Sequence, residues 1–222
     1  MLDMTKTGVQ AFEMPERHAK IITTVARLAG ASEDSVYLSG GAVRDLVLER
    51  PVANFGCMVD GKSGLLPFDN LCQLLTSHQQ TEVRLNDQCE RPVMRGQVFS
   101  LLKLFIGDEK VDLHYCYELG GQGKHLKRAA QKANLGICSI AAGRGRIFMD
   151  EAFLRDVRDK TITVKNKVFI GDLSQTAIVK ARELSEGKYA GYQVKFEFDP
   201  CPPSPRRNQS NRARALRMLE GQ

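Results

Sequence analysis

The stretch that most constrains the fold is Leu38-Ser39-Gly40-Gly41-Ala42-Val43-Arg44-Asp45-Leu46-Val47-Leu48. β-Formers at Val36 to Leu38 run into two glycines, and a short helical pattern follows with Val43, Leu46 and Val47 on one side. That order predicts a strand, a tight glycine turn and a helix. Glycine lets the backbone come close to a ligand, and the N–H groups that open a helix attract anions. Gly40, Gly41 and Arg44 are therefore candidate phosphate contacts. The plainer alternatives stay open: an ordinary strand–helix turn, and an Arg44 that braces the helix by pairing with Asp45 or a neighbouring acid.

The flanking patterns predict an α/β fold. Pro15 to Leu28 reads as a helix with Ile21, Ile22, Val25 and Leu28 on its apolar face and Gly30 at its end. Asn54 to Val59 reads as a strand in which Phe55, Cys57 and Val59 alternate with Asn54, Gly56 and Met58, so the latter share one face. Asp60 is expected just past that strand. Asp69 to Ser77 is expected to be a helix, Glu82 to Leu85 a strand, and Asn86 to Arg95 irregular. Gln97 to Ile106 and Val111 to Tyr115 form a hairpin about the turn Gly107-Asp108-Glu109-Lys110. Beyond the glycine-rich Gly120 to Gly123, a basic helix is expected over Lys124 to Ala133 and a second short helix over Leu135 to Ala142. Arg146 to Met149 and Thr161 to Val164 read as short strands around a helical turn from Glu151 to Val157. A helix over Ser174 to Glu186, a strand over Val194 to Phe198, a proline-rich linker and an arginine-rich end complete the chain.

With 42% apolar residues in 222, the chain can bury a proper core. The division that fits is a head over residues 1–170 and a remnant neck-like helix, linker and basic segment over residues 171–222. No apolar run approaches a membrane span, so membrane insertion is not expected. Met1 to Pro15 carries neither a secretory signal nor a transit-peptide pattern. The six cysteines have no C-x-x-C spacing and no histidine partners at metal-site spacing. A zinc site or disulfide framework is thereby disfavoured, and a reducing compartment, cytoplasm or mitochondrial matrix, is expected. A net charge of +6 favours a polyanionic partner such as RNA.

Gly40-Gly41-Ala42-Val43-Arg44-Asp45-Leu46-Val47-Leu48, followed by Arg50-Pro51, resembles the opening motif of the poly(A) polymerase and CCA-adding tRNA nucleotidyltransferase family. These are class II members of the DNA polymerase beta superfamily. The resemblance runs from about Val36 to Val164 and implies a nucleotidyltransferase-like head, a small mixed sheet flanked by helices mainly on one face. In that family an Asp-x-Asp pair and a third acid on a neighbouring strand hold two magnesium ions for nucleotidyl transfer. The matching positions here are Asn54, Gly56 and Asp112. One carboxylate in place of three gives hard divalent cations too little negative oxygen. The family's second motif, Arg-Arg-Asp-Phe-Thr-x-Asn, matches Lys132-Ala133-Asn134-Leu135-Gly136-Ile137-Cys138, in which Lys132 alone keeps a charge. The resemblance implies that Lys132 joins Gly40, Gly41 and Arg44 at a nucleotide phosphate.

Three readings follow. The first is a pseudoenzyme without metal or cofactor, acting as an RNA-binding or structural subunit of a ribonucleoprotein or protein assembly. Its RNA contacts would be Lys124, Lys127, Arg128, Arg206, Arg207, Arg212, Arg214 and Arg217; a solvated, disordered basic tail is the plainer account of the last five. The second is a working RNA nucleotidyltransferase that uses Mg²⁺ with rearranged ligands or is completed by a partner chain. The third is a nucleotide-binding sensor.

Overall fold

The computed structural model describes residues 2–60, 83–85, 93–94, 97–116, 125–165 and 173–197. A mixed sheet of nine strands organises them. Its strands are β1 (Gly8–Ala11), β2 (Val36–Ser39), β3 (Phe55–Asp60), β4 (Val83–Leu85), β5 (Val93–Met94), β6 (Gln97–Ile106), β7 (Glu109–Cys116), β8 (Ile140–Gly143) and β9 (Arg146–Met149). Their order in space is β1-β9-β8-β2-β3-β7-β6-β4, with β5 on β6. β3 and β7 pair in parallel, and their described neighbours pair antiparallel. β10 (Thr161–Val164) and β11 (Gln193–Phe196) form a separate parallel pair. The helices are α1 (Glu16–Ala29), α2 (Gly41–Val47), α3 (His125–Gln131), α4 (Glu151–Asp159) and α5 (Leu173–Glu186).

The alternation read from the sequence sorts the sheet into two faces. Phe55, Cys57 and Val59 of β3, with Val111 and Leu113 of β7 and Leu102 and Leu104 of β6, are fully buried. They meet Ile21, Ile22 and Val25 of α1, Ala42 and Val43 of α2, and Phe153 of α4 in the main core. On the opposite face α3 lays Leu126, Ala129 and Ala130 over Tyr37, Ala141 and Phe148, covering the β2–β8–β9 end. A third cluster joins Ile162 and Val164 of β10 to Ala177 and Ala181 of α5, with Leu135, Ile137 and Tyr189.

α1 starts one residue past Pro15 and ends at Gly30, whose φ of 63° is the left-handed conformation that glycine adopts without strain. The hairpin runs in the expected register, Ile106 opposite Glu109 and Lys103 opposite Asp112. The expected short helix over Leu135 to Ala142 is corrected. Gly136–Cys138 is a single 3₁₀ turn, and Ile140–Gly143 is β8. Ile140 to Ala142 are wholly buried between β2 and β9, so ladder pairing on both edges outweighs the helix propensity of two alanines. β5 lies within the stretch expected to be irregular, and β1 was missed; it pairs with β9 at the sheet's edge. Asp60 closes β3 instead of following it, paired with Cys116. The expected helix over residues 69–77, the loop over residues 120–123 and the chain beyond residue 197 lie outside the described residues.

Candidate functional site

β3 and β7 run side by side in a register that sets Gly56 against Asp112. Asn54, one residue before β3, reaches across: its Nδ2 donates to Asp112 Oδ2 at 2.6 Å. A carbonyl oxygen at that distance from a carboxylate would be repelled, so the contact fixes the amide with its N–H toward Asp112. The three positions singled out by the sequence are thus gathered on one face of the sheet. Gly56 contributes no group there. A Cβ built on it would sit 3.1 Å from the Ser39 carbonyl and 3.8 Å from the Ser39 hydroxyl. A side chain at residue 56 therefore presses on the neighbouring strand.

The registers of four strand pairs place Ala141, Ser39, Gly56, Asp112 and Lys103 in one row across β8, β2, β3, β7 and β6. His114, two residues along β7, shares the face. Burial lowers the His114 pKa; Asp112 opposes that and Lys132 adds to it, so both charges act on this ring. Lys132 follows the last turn of α3 and is half-buried. Asp60 shares the parity of Gly56, but four residues along an extended strand is about 13 Å, too far to complete a cation site. Among the described residues no group of three or more His, Cys, Asp or Glu side chains is placed to hold a metal ion. The donor set at Asn54 and Asp112 does not suit the two magnesium ions that the resemblance implies. Its one carboxylate already accepts from an amide, and neither Asn54 nor Gly56 adds the negative oxygen that hard cations need.

The glycine turn serves the interior. Gly40 has φ 65° and caps α2, and its N–H donates to the Ile140 carbonyl at 3.0 Å, so it is not available to an anion. Gly41 abuts Arg44: a Cβ there would lie 3.5 Å from the guanidinium. Arg44 points inward. Its side chain and that of Asp45 are each 4% exposed and pair at 2.7 Å. Arg44 Nη1 also donates to Cys138 Sγ at 3.1 Å, and the guanidinium lies 4.7 Å from the Tyr189 ring centroid. Asp45 accepts further from Lys188 Nζ at 2.6 Å and from the Tyr189 hydroxyl at 2.7 Å. Burial works against both charges, yet Arg44 stays above its ordinary pKa through Cys138, Asp45 and Tyr189, and Asp45 stays below its own through the Arg44, Lys188 and Tyr189 hydrogen bonds. This geometry is the bracing role for Arg44. No local pattern points to Lys188 and Tyr189, which lie more than 140 residues away in the chain.

Lys127 and Arg128 are exposed on α3. Lys124, Arg206, Arg207, Arg212, Arg214 and Arg217 lie outside the described residues. Two further residues were missed by the sequence reading. Lys103 and His114 become visible once the hairpin alternation is carried past Asp112 onto both strands.

The architecture is that of a nucleotidyltransferase-like head domain. It superposes on a CCA-adding enzyme in complex with ATP with a TM-score of 0.52 and 14% identity, over 86% of this chain and 43% of that one. An apo form of a CCA-adding enzyme gives 0.51 and 13%, over 96% and 48%. The Thermotoga maritima CCA-adding enzyme complexed with tRNA gives 0.50 and 15%, over 87% and 44%. The chain therefore spans less than half the length of these proteins. At such identities the likeness establishes the fold. No family profile and no curated protein matches the sequence.

Proposed function

We propose that this chain is a nucleotidyltransferase-like head that binds RNA without catalysing nucleotide transfer, as a subunit of an RNA–protein assembly. The observation that carries the reading is the Asn54–Asp112 hydrogen bond. In-line attack on an α-phosphate depends on cations that stabilise the attacking and leaving oxygens. Here Asp112 is a single carboxylate that already accepts from a neutral amide, and Gly56 offers no group beside it. Support for RNA comes from the fold, since one structural neighbour is bound to tRNA. It comes also from the exposed Lys127 and Arg128 on α3 and from the net charge of +6.

Two measurements on the full chain test this. Filter binding of single-stranded RNA across a salt series should give a steep loss of affinity, with a log–log slope of about −0.7 for each phosphate contact. Incubation of labelled ATP or CTP and an RNA primer with Mg²⁺ should give no extension. Mg²⁺-dependent incorporation that Asp112→Ala abolishes would overturn the non-catalytic reading. Absence of RNA binding at low salt would overturn the RNA reading.

A further inference from the structure

We propose that the outer edge of β1 docks a second copy of this chain, the two β1 strands pairing antiparallel so that one sheet runs through both molecules. The contact goes beyond the RNA reading and does not depend on it.

β1 ends the sheet and pairs along one side, with β9. The Phe12 N–H continues that ladder by donating to the Gly145 carbonyl at 3.0 Å. Ladder bonds alternate along an antiparallel strand, so Gly8, Gln10 and Phe12 turn their main-chain groups toward β9, while Val9 and Ala11 turn theirs outward. Among the described residues nothing pairs with those outward groups. The Gln10 side chain, on the face opposite Val9 and Ala11, holds the segment before β1: its amide donates to the Asp3 and Lys6 carbonyls at 2.8 and 3.2 Å and accepts from the Asp3 N–H at 2.8 Å. The face with Val9 and Ala11 stays open. Val9 is 55% exposed, one of two large apolar side chains so exposed among the described residues, and Ala11 beside it is exposed too.

A free edge is a template for further strands, and sheets commonly blunt it with a charge, a proline or a bulge. At the other end of the sheet β4 carries Arg84, and β11 carries Lys195. Gly8-Val9-Gln10-Ala11-Phe12 has no charge and no proline, and its register with β9 runs without a bulge. The segment also suits its own copy. A two-fold axis at Gln10 sets Val9 of each molecule opposite Ala11 of the other, so the outward groups meet in hydrogen-bonded pairs and the small apolar side chains gather on one face. The charges that flank the strand are opposite, Lys6 before it and Glu13 after it. Antiparallel pairing lays the Lys6 end of one copy beside the Glu13 end of the other, whereas parallel pairing would set like charges together. A two-fold contact closes at two copies. The ladder is short, which places the contact among weak, concentration-dependent ones.

Sedimentation equilibrium of the full chain from roughly 2 to 200 μM, a span that brackets weak contacts, tests the edge. The expected result is a rise from monomer toward dimer mass and no further. Val9→Lys puts a charge on the edge, and Ala11→Pro removes an outward N–H that β9 does not use. Each should leave the chain folded, by circular dichroism, and weaken self-association at least about tenfold. Hydrogen exchange on the unmodified chain gives the location: the Val9 and Ala11 amides should exchange more slowly at high concentration than at low. This measurement needs no variant, so it decides even where a substitution fails to fold. A monomer at every concentration overturns the proposal. So does a dimer that persists in both folded variants, or one whose Val9 and Ala11 amides exchange as fast as in the monomer. Growth in mass beyond two copies refutes the two-fold closure.

Discussion

Asn54→Asp is the most informative single substitution. The wild-type amide donates to Asp112 at 2.6 Å, so the variant exchanges a hydrogen bond for two carboxylates in contact. A hydrogen bond to a charged group contributes about 1.5–3 kcal/mol. Two like charges about 4 Å apart repel by about 4 kcal/mol at an effective dielectric near 20. Solvent reaches this pair, and both side chains can turn away, so the sum is not realised. Destabilisation of about 2–4 kcal/mol at neutral pH is expected, which for a chain of this size lowers Tm by roughly 5–15 °C. The pH dependence has a definite sign. One carboxyl of the new pair holds its proton to higher pH in the folded state than in the unfolded state. Its contribution is therefore fully present at acidic pH and is lost as pH rises through the raised folded value. The gap between wild type and variant should be smallest near pH 4 and widest above pH 7. Added Mg²⁺ should recover part of the loss in the variant, because a ligand of the folded state stabilises it. Thermal unfolding of both proteins from pH 4 to pH 8, with and without Mg²⁺, makes the measurement. A variant whose Tm tracks wild type at every pH would refute the contact between Asn54 and Asp112, and with it the observation that carries the proposed non-catalytic reading.

Four further substitutions test the framework that positions this face. Asp45→Asn strips the buried Arg44 of its counter-charge and should cost about 3–5 kcal/mol, whereas Tyr189→Phe, which removes one of the hydrogen bonds to Asp45, should cost about 1–2 kcal/mol; urea unfolding ranks them, and an equal cost would refute the ion pair as the centre of the cluster. Gly136→Ala would place a Cβ 2.9 Å from Asp156 Cγ, whose carboxylate is held by Thr161 and Thr163, so a loss of about 1–3 kcal/mol is expected in the same assay, and a neutral result would show that α4 can shift. His18 is buried edge-on against Phe55 with neither ring nitrogen hydrogen-bonded, and burial and Arg17 lower its pKa against the opposing pull of Glu109. The unfolded chain then binds the proton more readily, so stability falls as pH drops below about 6.5, by at most about 1.4 kcal/mol per pH unit for this residue. His114 adds a loss of the same sign. His18→Leu should flatten the dependence between pH 7 and pH 5, and an unchanged slope would locate the acid sensitivity elsewhere.

What could be read from the sequence was whatever local periodicity determines. The β6–β7 hairpin was legible because each strand alternates and the turn between them carries a glycine, at φ 59°. The shared face of Asn54, Gly56 and Asp112 was legible too, since alternation fixes parity within β3 and β7 before any coordinates exist. β8 was not. Ile140-Ala141-Ala142 is apolar at every position, and such a run fits a buried strand or a buried helix equally until its neighbours are known. β1 was hidden for a related reason: four residues carry too little pattern, and it is its antiparallel register with β9 that makes it a strand.

The site divides along the same line. Arg44 illustrates why. The motif that contains it was read as both a phosphate contact and a brace, and the sequence held no basis for choosing, because the groups that decide are Cys138, Lys188 and Tyr189, 94 to 145 residues further on. Once Tyr189 and Lys188 converge on Asp45, the Arg44–Asp45 pair is locked inside, and the helix that follows the glycine turn is tied to the segment after α5. The glycine turn then works chiefly as an architectural joint, its Gly40 N–H given to β8. Whatever this face recognises must be met by the sheet itself. There Asn54 and Gly56 stand where the family the chain resembles has two acids, and the one carboxylate of the row, Asp112, is tied to Asn54 by a hydrogen bond that crosses from before β3 to β7.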